Sequence, residues 1–225
     1  MYIISDFKFQ LNKTKIINAV KSYCQTPPYE ELSKIYDDLL PMLREISKPI
    51  GIFKIDNQNE ELNSTVINKC SHIVYSLVTI GEGSVKKVDN FFEEGKFYEA
   101  VLLDAMASSY LFNVSSELFN SIYKTTKDMN LGLTCKIAPG DGEIDLEYQK
   151  NIVNKFNNED IHGISVIDKY MLYPSKSMSY VYGADASIAF NRKDHSCANC
   201  YNTFCTMRDT SGSIKGPFLK ESNCA

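Results

Sequence analysis

Lys136-Ile137-Ala138-Pro139-Gly140-Asp141-Gly142-Glu143 places a cation, a proline, two glycines and two acids within eight residues. Proline fixes φ and removes an N–H, while glycine opens φ > 0, so no regular helix or strand absorbs this segment. An apolar run from Leu131 to Ile137 enters it, and Leu146-Glu147-Tyr148-Gln149 leaves it with helical character. A backbone this bare, bounded by Lys136 and by Asp141 and Glu143, can approach a small polar ligand closely. Spacing alone favours an ordinary surface turn between a strand and a helix, because Pro-Gly-x-Gly is common turn chemistry. About thirty residues on stands Pro174-Ser175-Lys176-Ser177-Met178-Ser179, a second polar segment opened by a proline.

A second constellation is Cys197-x2-Cys200-x4-Cys205, preceded by His195 and followed by Cys224. Three thiolates so spaced can wrap one zinc ion or one face of an iron–sulfur cluster. The spacing matches neither a paired zinc finger nor the ferredoxin run, and it leaves the fourth ligand open among His195, Cys224 and solvent. A cysteine-rich tail without metal fits the same residues. Cys24, Cys70 and Cys135 lie in apolar surroundings and read as buried structural residues. His72 and His162 stand in no evident triad with Ser, Cys or Asp. The chain carries no Walker A sequence and no G-x-G-x-x-G after a strand, and Gly81-Glu82-Gly83 is too short for a phosphate loop.

The elements that must position these residues follow from hydrophobic periodicity. Phe7, Phe9 and Leu11 alternate with polar neighbours and predict a short strand. Asn12 or Thr14 then caps a helix through Ile16, Ile17 and Val20. Pro27-Pro28 breaks the chain before a helix over residues 30–45, which contains Pro41. Strands are expected over residues 50–55 and 72–80, with a short helix capped by Ser84 and closed at Gly95. Residues 97–129 form the longest periodic segment, with Tyr98, Val101, Leu102, Ala105, Leu111, Val114, Leu118 and Ile122 on its apolar side. A helix that long is the central packing element. Further strands are expected over 132–137, 164–173 and 178–182, with a helix over 146–156. Helices and strands mix without strict alternation, which predicts an α+β domain with a single twisted, mainly antiparallel sheet.

The 225 residues suffice for one sizeable core. A net charge of −4 with interspersed signs argues against a nucleic-acid surface, which needs clustered Lys and Arg. Met1-Tyr2-Ile3-Ile4-Ser5-Asp6 lacks the basic and long apolar regions of a signal peptide, and no apolar run reaches the length of a membrane span. Seven cysteines, an odd number, fit a reducing cytoplasm. The expectation is a soluble cytoplasmic protein: a domain over residues 1–190 and a cysteine-rich tail over 191–225.

Several modest motifs occur in one order. They are Val78-Thr79-Ile80-Gly81, Phe91 with Gly95, Leu103-Asp104-Ala105, Pro139-Gly140-x-Gly142-Glu143-x2-Leu146-Glu147-x-Gln149, and Pro174-x-Lys176-Ser177-x-Ser179. In this order they resemble the activation domain of cobalamin-dependent methionine synthase. The similarity is greatest to its stand-alone versions, which end in Cys-x2-Cys-x4-Cys-x2-Arg, here Cys197, Cys200, Cys205 and Arg208. The likeness runs from about Thr79 to Arg208.

That resemblance implies a domain that binds S-adenosylmethionine and docks over the cobalamin of a partner. There an external electron, from a donor such as flavodoxin, and the methyl of S-adenosylmethionine restore methylcobalamin from cob(II)alamin. The domain's task is positioning, and its docking couples to a conformational change in the partner. Such a chain is an accessory subunit of a methyltransferase system in methionine biosynthesis, since the reacting cobalt belongs to the partner. The implied ligand residues are Lys136, Ile137, Ala138, Pro139, Gly140, Asp141 and Tyr182. Lys136 stands where the family carries an arginine that grips the ligand carboxylate, and keeps the charge without the bidentate fork. Asp141 stands where a tyrosine is usual, and Phe112 near a usual glutamate. These departures suit a second reading, a corrinoid-protein docking or sensing module that has lost the methyl-donor site.

Overall fold

In the computed structural model, which describes residues 1–59, 62–142, 144–156, 160–190 and 194, strand β3 (His72–Thr79) organises the architecture. It is buried on both faces and pairs antiparallel on each side, with β2 (Ile50–Asn57) and with β7 (Ser177–Asp185). Adding β1 (Tyr2–Ile4) and β4 (Gly132–Leu133) gives the order β1-β2-β3-β7-β4, with every pair antiparallel. Side chains alternate across a strand, so the sheet has two apolar faces. Phe53, Val74, Val78, Tyr180, Tyr182 and Ala184 face one core, while Ile52, Ile73, Tyr75, Leu77 and Val181 face the other.

Four helices cover the first face: α1 (Lys13–Tyr23), α2 (Tyr29–Ile46), α3 (Gly83–Glu93) and α4 (Phe97–Asp128). The 32 residues of α4 give it a length of about 48 Å. It buries Leu103, Tyr110, Val114, Leu118 and Ile122 in the first core, whereas Tyr98, expected on the same apolar side, is exposed in the first turn, before the buried stripe begins at Ala100. The second face is covered by α5 (Tyr148–Asn154) and a hairpin of β5 (Ser165–Val166) and β6 (Leu172–Tyr173). The expected α+β class with one antiparallel sheet and a long central helix is therefore what the chain adopts. No helix among the described residues is long and apolar enough to cross a membrane.

Local expectations fare unevenly. Asn12 caps α1 as expected, its side chain accepting from the Lys15 N–H at 2.9 Å. Phe7, Phe9 and Leu11 do pack against the first core, but not as a strand. The Lys8 N–H donates to the Glu117 carboxylate at 3.2 Å and the Asn113 amide donates to the Gln10 carbonyl, so side chains of α4 replace a ladder. Ser84 lies inside α3, one residue past its start, rather than capping it. The strand expected over 164–173 is interrupted by a turn at Asp168–Tyr170, where Lys169 and Tyr170 have φ of 57° and 61°. Of the expected strand over 132–137, Gly132–Leu133 and an isolated bridge at Ile137 form. Cys70 alone of the three scattered cysteines is buried: Cys24 is half-buried and free, and Cys135 is half-buried and disulfide-bonded.

Candidate functional site

The loop after β4 is pinned at both ends. Ile137 exchanges hydrogen bonds with Val181 on β7, N–H to carbonyl at 3.0 Å and carbonyl to N–H at 2.9 Å. The Asp141 N–H then returns to the Ala138 carbonyl at 3.1 Å, closing a turn with Pro139 and Gly140 at its centre. Gly140 has φ of +88°, the arrangement of a type II turn in which proline presets the first corner and glycine takes the second. The Gly140 N–H donates to the Ile144 carbonyl at 2.7 Å, and Ile144 anchors the exit in the second core. Among the described residues, the Ala138 N–H and the Pro139 and Gly140 carbonyls keep no backbone or side-chain partner. The loop is thus fixed in place and retains free backbone groups.

Lys136 leads into this loop, and its side chain points inward. Its ammonium donates to Ser115 Oγ on α4 at 3.1 Å and to Asp194 Oδ2 at 3.0 Å, and sits 4.8 Å from the Tyr180 ring centroid. The ion pair is largely withdrawn from water, with 11% and 15% side-chain exposure. Lys136 also donates its backbone N–H to the Asp194 carbonyl at 2.9 Å. The Tyr182 hydroxyl donates to the other carboxylate oxygen, Asp194 Oδ1. Two of the sequence-predicted ligand residues, Lys136 and Tyr182, therefore meet on one carboxylate of this same chain.

The tyrosines belong to the core as much as to the site. Tyr180 and Tyr182 are fully buried, pack edge-on at 5.7 Å, and Tyr182 lies 5.8 Å from Phe119. Burial pushes both hydroxyls far above the ordinary tyrosine range, with the nearby Asp194 charge adding to the effect. Both stay protonated, which makes Tyr182 a donor to the carboxylate. Ser115, which takes the Lys136 ammonium, also stands beside the Tyr180 hydroxyl and offsets part of that rise.

The second polar segment docks beside the same helix. The Tyr173–Pro174 peptide is cis. Lys176 donates to Ser108 Oγ at 2.8 Å and pairs with Asp104 at 2.7 Å, both on α4. Its carbonyl accepts from the Ile80 N–H at 3.1 Å, and Ser177 Oγ donates to Thr79 Oγ1 at 2.9 Å. The Gly81 N–H donates to Thr79 Oγ1 at 3.0 Å. On the other face, Ser179 Oγ donates to the buried Gln149 side chain at 3.2 Å, and the Gln149 amide donates to the Tyr170 carbonyl. Thr79, Asp104, Gln149, Lys176, Ser177 and Ser179, scattered along the chain, thus converge on β7 as fasteners of the loops around it.

Ile137 and Ala138 are half-buried at the foot of the loop, Gly140 is exposed, and Asp141 is half-buried at the turn. Phe112 is 39% exposed on α4, between the turns that carry Ser108 and Ser115. Sequence reasoning missed Ser115 and Asp194. Ser108 and Ser115 are seven residues apart, two helical turns, on a face otherwise apolar, and that spacing could have flagged them. Asp194 sits in a polar run, Asn191-Arg192-Lys193-Asp194, with no distinguishing signal. Surface cavities of about 230 Å³ (beside Cys24 and Tyr98) and about 440 Å³ (beside Asn63 and Tyr148) include neither Lys136 nor Tyr182. Cys197, Cys200, Cys205, His195, Cys224 and Glu143 lie outside the described residues, as does the tail apart from Asp194. Among the described residues, no group of three His, Cys, Asp or Glu side chains could hold a metal.

No family model matches this chain, and no curated protein does. Among solved structures the chain is similar to the crystal structure of the MetH reactivation domain bound to AdoHcy. The TM-score is 0.57 at 13% identity, over 84% of this chain and 80% of that one. The fold is that of the reactivation domain, as the order of motifs implies.

Proposed function

We propose that this chain binds S-adenosylmethionine on the Lys136–Asp141 loop and serves as the activation subunit of a separately encoded cobalamin-dependent methionine synthase or related corrinoid methyltransferase. The observation that carries the reading is the coincidence of fold and loop. The reactivation-domain fold, known from a structure holding AdoHcy, here presents an anchored turn with free backbone groups beside Lys136 and Tyr182. The Ala138 N–H and the Pro139 and Gly140 carbonyls suit an adenosyl ligand, since their contacts do not depend on side-chain identity. With the ligand seated, the domain docks on a cobalamin-bearing partner. One electron from a low-potential donor, such as a flavodoxin, together with the ligand's methyl group converts the partner's cob(II)alamin to methylcobalamin and leaves S-adenosylhomocysteine. This chain's share is to hold the sulfonium methyl at attack distance and orientation.

Titration calorimetry with S-adenosylmethionine tests the reading, with the protein alone and with its corrinoid partner. Saturable binding is expected, and no detectable heat in either setting would sink it. The tail cysteines Cys197, Cys200 and Cys205 are proposed to hold zinc or an iron–sulfur cluster. Brown anaerobic protein that bleaches on their replacement by Ser identifies a cluster, whereas colourless protein with stoichiometric zinc identifies a structural ion.

The pairing of Lys136 with Asp194 favours one second reading, a docking module on corrinoid proteins without the methyl donor. On that reading the native chain shows no S-adenosylmethionine affinity and Lys136→Arg with Asp141→Tyr creates it. Affinity already present in the native chain excludes it.

A further inference from the structure

We infer that Asp194 occupies the carboxylate position of the ligand site, so that the chain's own side chain competes with the amino-acid end of an incoming ligand for Lys136. This inference rests on the S-adenosylmethionine reading above. Asp194 presents the group that an α-amino acid would present. One carboxylate oxygen takes the Lys136 ammonium at 3.0 Å, and the other takes the Tyr182 hydroxyl. Its carbonyl is held by the Lys136 N–H at 2.9 Å. Lys136 is the one cation in the stretch 136–142, and Ser115 fixes its ammonium from the α4 side at 3.1 Å.

The competition follows from charge and space. A single ammonium largely removed from water cannot take two carboxylates without placing like charges in contact, a costly arrangement at low dielectric. The two occupancies therefore exclude each other. A group tethered in the same chain acts at an effective concentration in the millimolar range. A free ligand at micromolar concentration then binds with its dissociation constant divided by the fraction of molecules whose Lys136 is free, and so more weakly. The fully buried Tyr180 hydroxyl and the Ser115 hydroxyl beside it complete a polar lining around the contested ammonium. Asp194 is thus an affinity-setting residue, and it distinguishes ligands that carry a carboxylate from those that do not.

The test compares native protein, Asp194→Asn and Asp194→Ser by calorimetry with three ligands. S-Adenosylmethionine and S-adenosylhomocysteine carry the amino-acid carboxylate, while 5′-methylthioadenosine is the same nucleoside thioether without it. Asparagine keeps the size and can still accept from Tyr182. Serine covers the case in which the asparagine variant does not fold, as judged by circular dichroism. Neutral residue 194 is expected to tighten the two carboxylate ligands by about tenfold, within the ~5–150-fold span usual for coupled sites, and to leave methylthioadenosine within about twofold. In a Lys136→Met background the same change at 194 is expected to have no effect on any ligand, because the contested ammonium is gone. An equal gain for all three ligands overturns the inference, since Asp194 would then block the site by bulk. Unchanged or weaker binding of the carboxylate ligands also overturns it, and makes Asp194 a fixed positioning partner of Lys136. In both of those outcomes the S-adenosylmethionine reading survives. Absence of binding by every variant to every ligand overturns that reading, and this inference with it.

Discussion

Replacing Lys136 by Met isolates the cluster that joins α4, β7 and the loop. The substitution keeps an unbranched side chain of similar length and removes the charge. The ion pair with Asp194, the bond to Ser115 Oγ and the contact over the Tyr180 ring are lost together. Removing one partner of a buried pair costs about 3–5 kcal/mol, chiefly because the other charge is left uncompensated. Exposures of 11% and 15% mean that water reaches the pair to some degree, which places the expectation near the lower end, about 3 kcal/mol. The cation–ring contact and the serine bond act on the same ammonium and are not added separately. Urea unfolding reads the effect. At an m-value of about 2–3 kcal/mol per M for this size, the midpoint should fall by about 1–1.5 M with m unchanged. Lys136→Met combined with Asp194→Asn should cost less than the two single changes summed, by about 1.5 kcal/mol or more. A single-variant cost below about 0.5 kcal/mol, the range of exposed ion pairs, would refute the claim that the pair is a structural element of the site.

Three further outcomes are expected. Gly183→Ala puts a Cβ 2.5 Å from Cys70 Sγ and 3.1 Å from Thr134 Cγ2, so it should cost about 1–3 kcal/mol; Cys70→Ala in the same chain should recover part of that in thermal unfolding, and full retention of the cost would count against the clash. Asp185 accepts from Ser187 Oγ at 2.6 Å and from the backbone N–H groups of Ser187 and Ser71 at 2.9 Å, and the Ser187 bonds above all hold its pKa well below the ordinary ~3.9. A depressed carboxylate contributes stability fully above its unfolded pKa and loses it as pH falls toward the folded value. The melting-temperature gap between native protein and Asp185→Asn should therefore be constant from about pH 5 to 7 and close below about pH 4; a gap independent of pH would contradict the assignment. Burial, with the Asp185 charge nearby, pushes the Cys70 thiol up to about 11, so iodoacetamide at pH 8 should label half-buried Cys24 in the native state and leave Cys70 until urea is added. Equal labelling by mass spectrometry would be the contrary result.

What was legible in the sequence was what local physics determines. The α4 period survives because one continuous apolar stripe meets one sheet face. The Asn12 cap and the Pro139-Gly140 turn were readable because a side-chain acceptor and a φ > 0 requirement act within a few residues. Phe7, Phe9 and Leu11 misled because alternation reports which side chains are buried, and not what pairs with the backbone. There Glu117 and Asn113, more than a hundred residues away, supply the partners. The strand expected at 164–173 failed at Lys169 and Tyr170, whose positive φ no propensity of theirs announces. Lys136 was legible as a cation beside a bare turn, yet its direction was not, since Ser115 and Asp194 that turn it inward are distant in sequence.

The motif residues divide by what they do. Thr79, Lys176, Ser177, Ser179 and Gln149 spend their polar groups on one another and on backbone around β7. They fasten two loops to one strand and leave little hydrogen-bonding capacity for a ligand. Among the described residues, the Ala138 N–H and the carbonyls of Pro139 and Gly140 have no protein partner, and all three lie on the loop after β4. Backbone groups on a half-buried or exposed turn are open to a ligand while those of the fasteners are spent, which separates recognition from scaffold. On this division, substitutions among the fasteners act on ligand affinity through the position of β7. Substitutions at Lys136 and Asp194 act on it through charge. The carboxylate of Asp194 stands at the boundary between the two sets, completing the scaffold while it holds the cation that recognition would require.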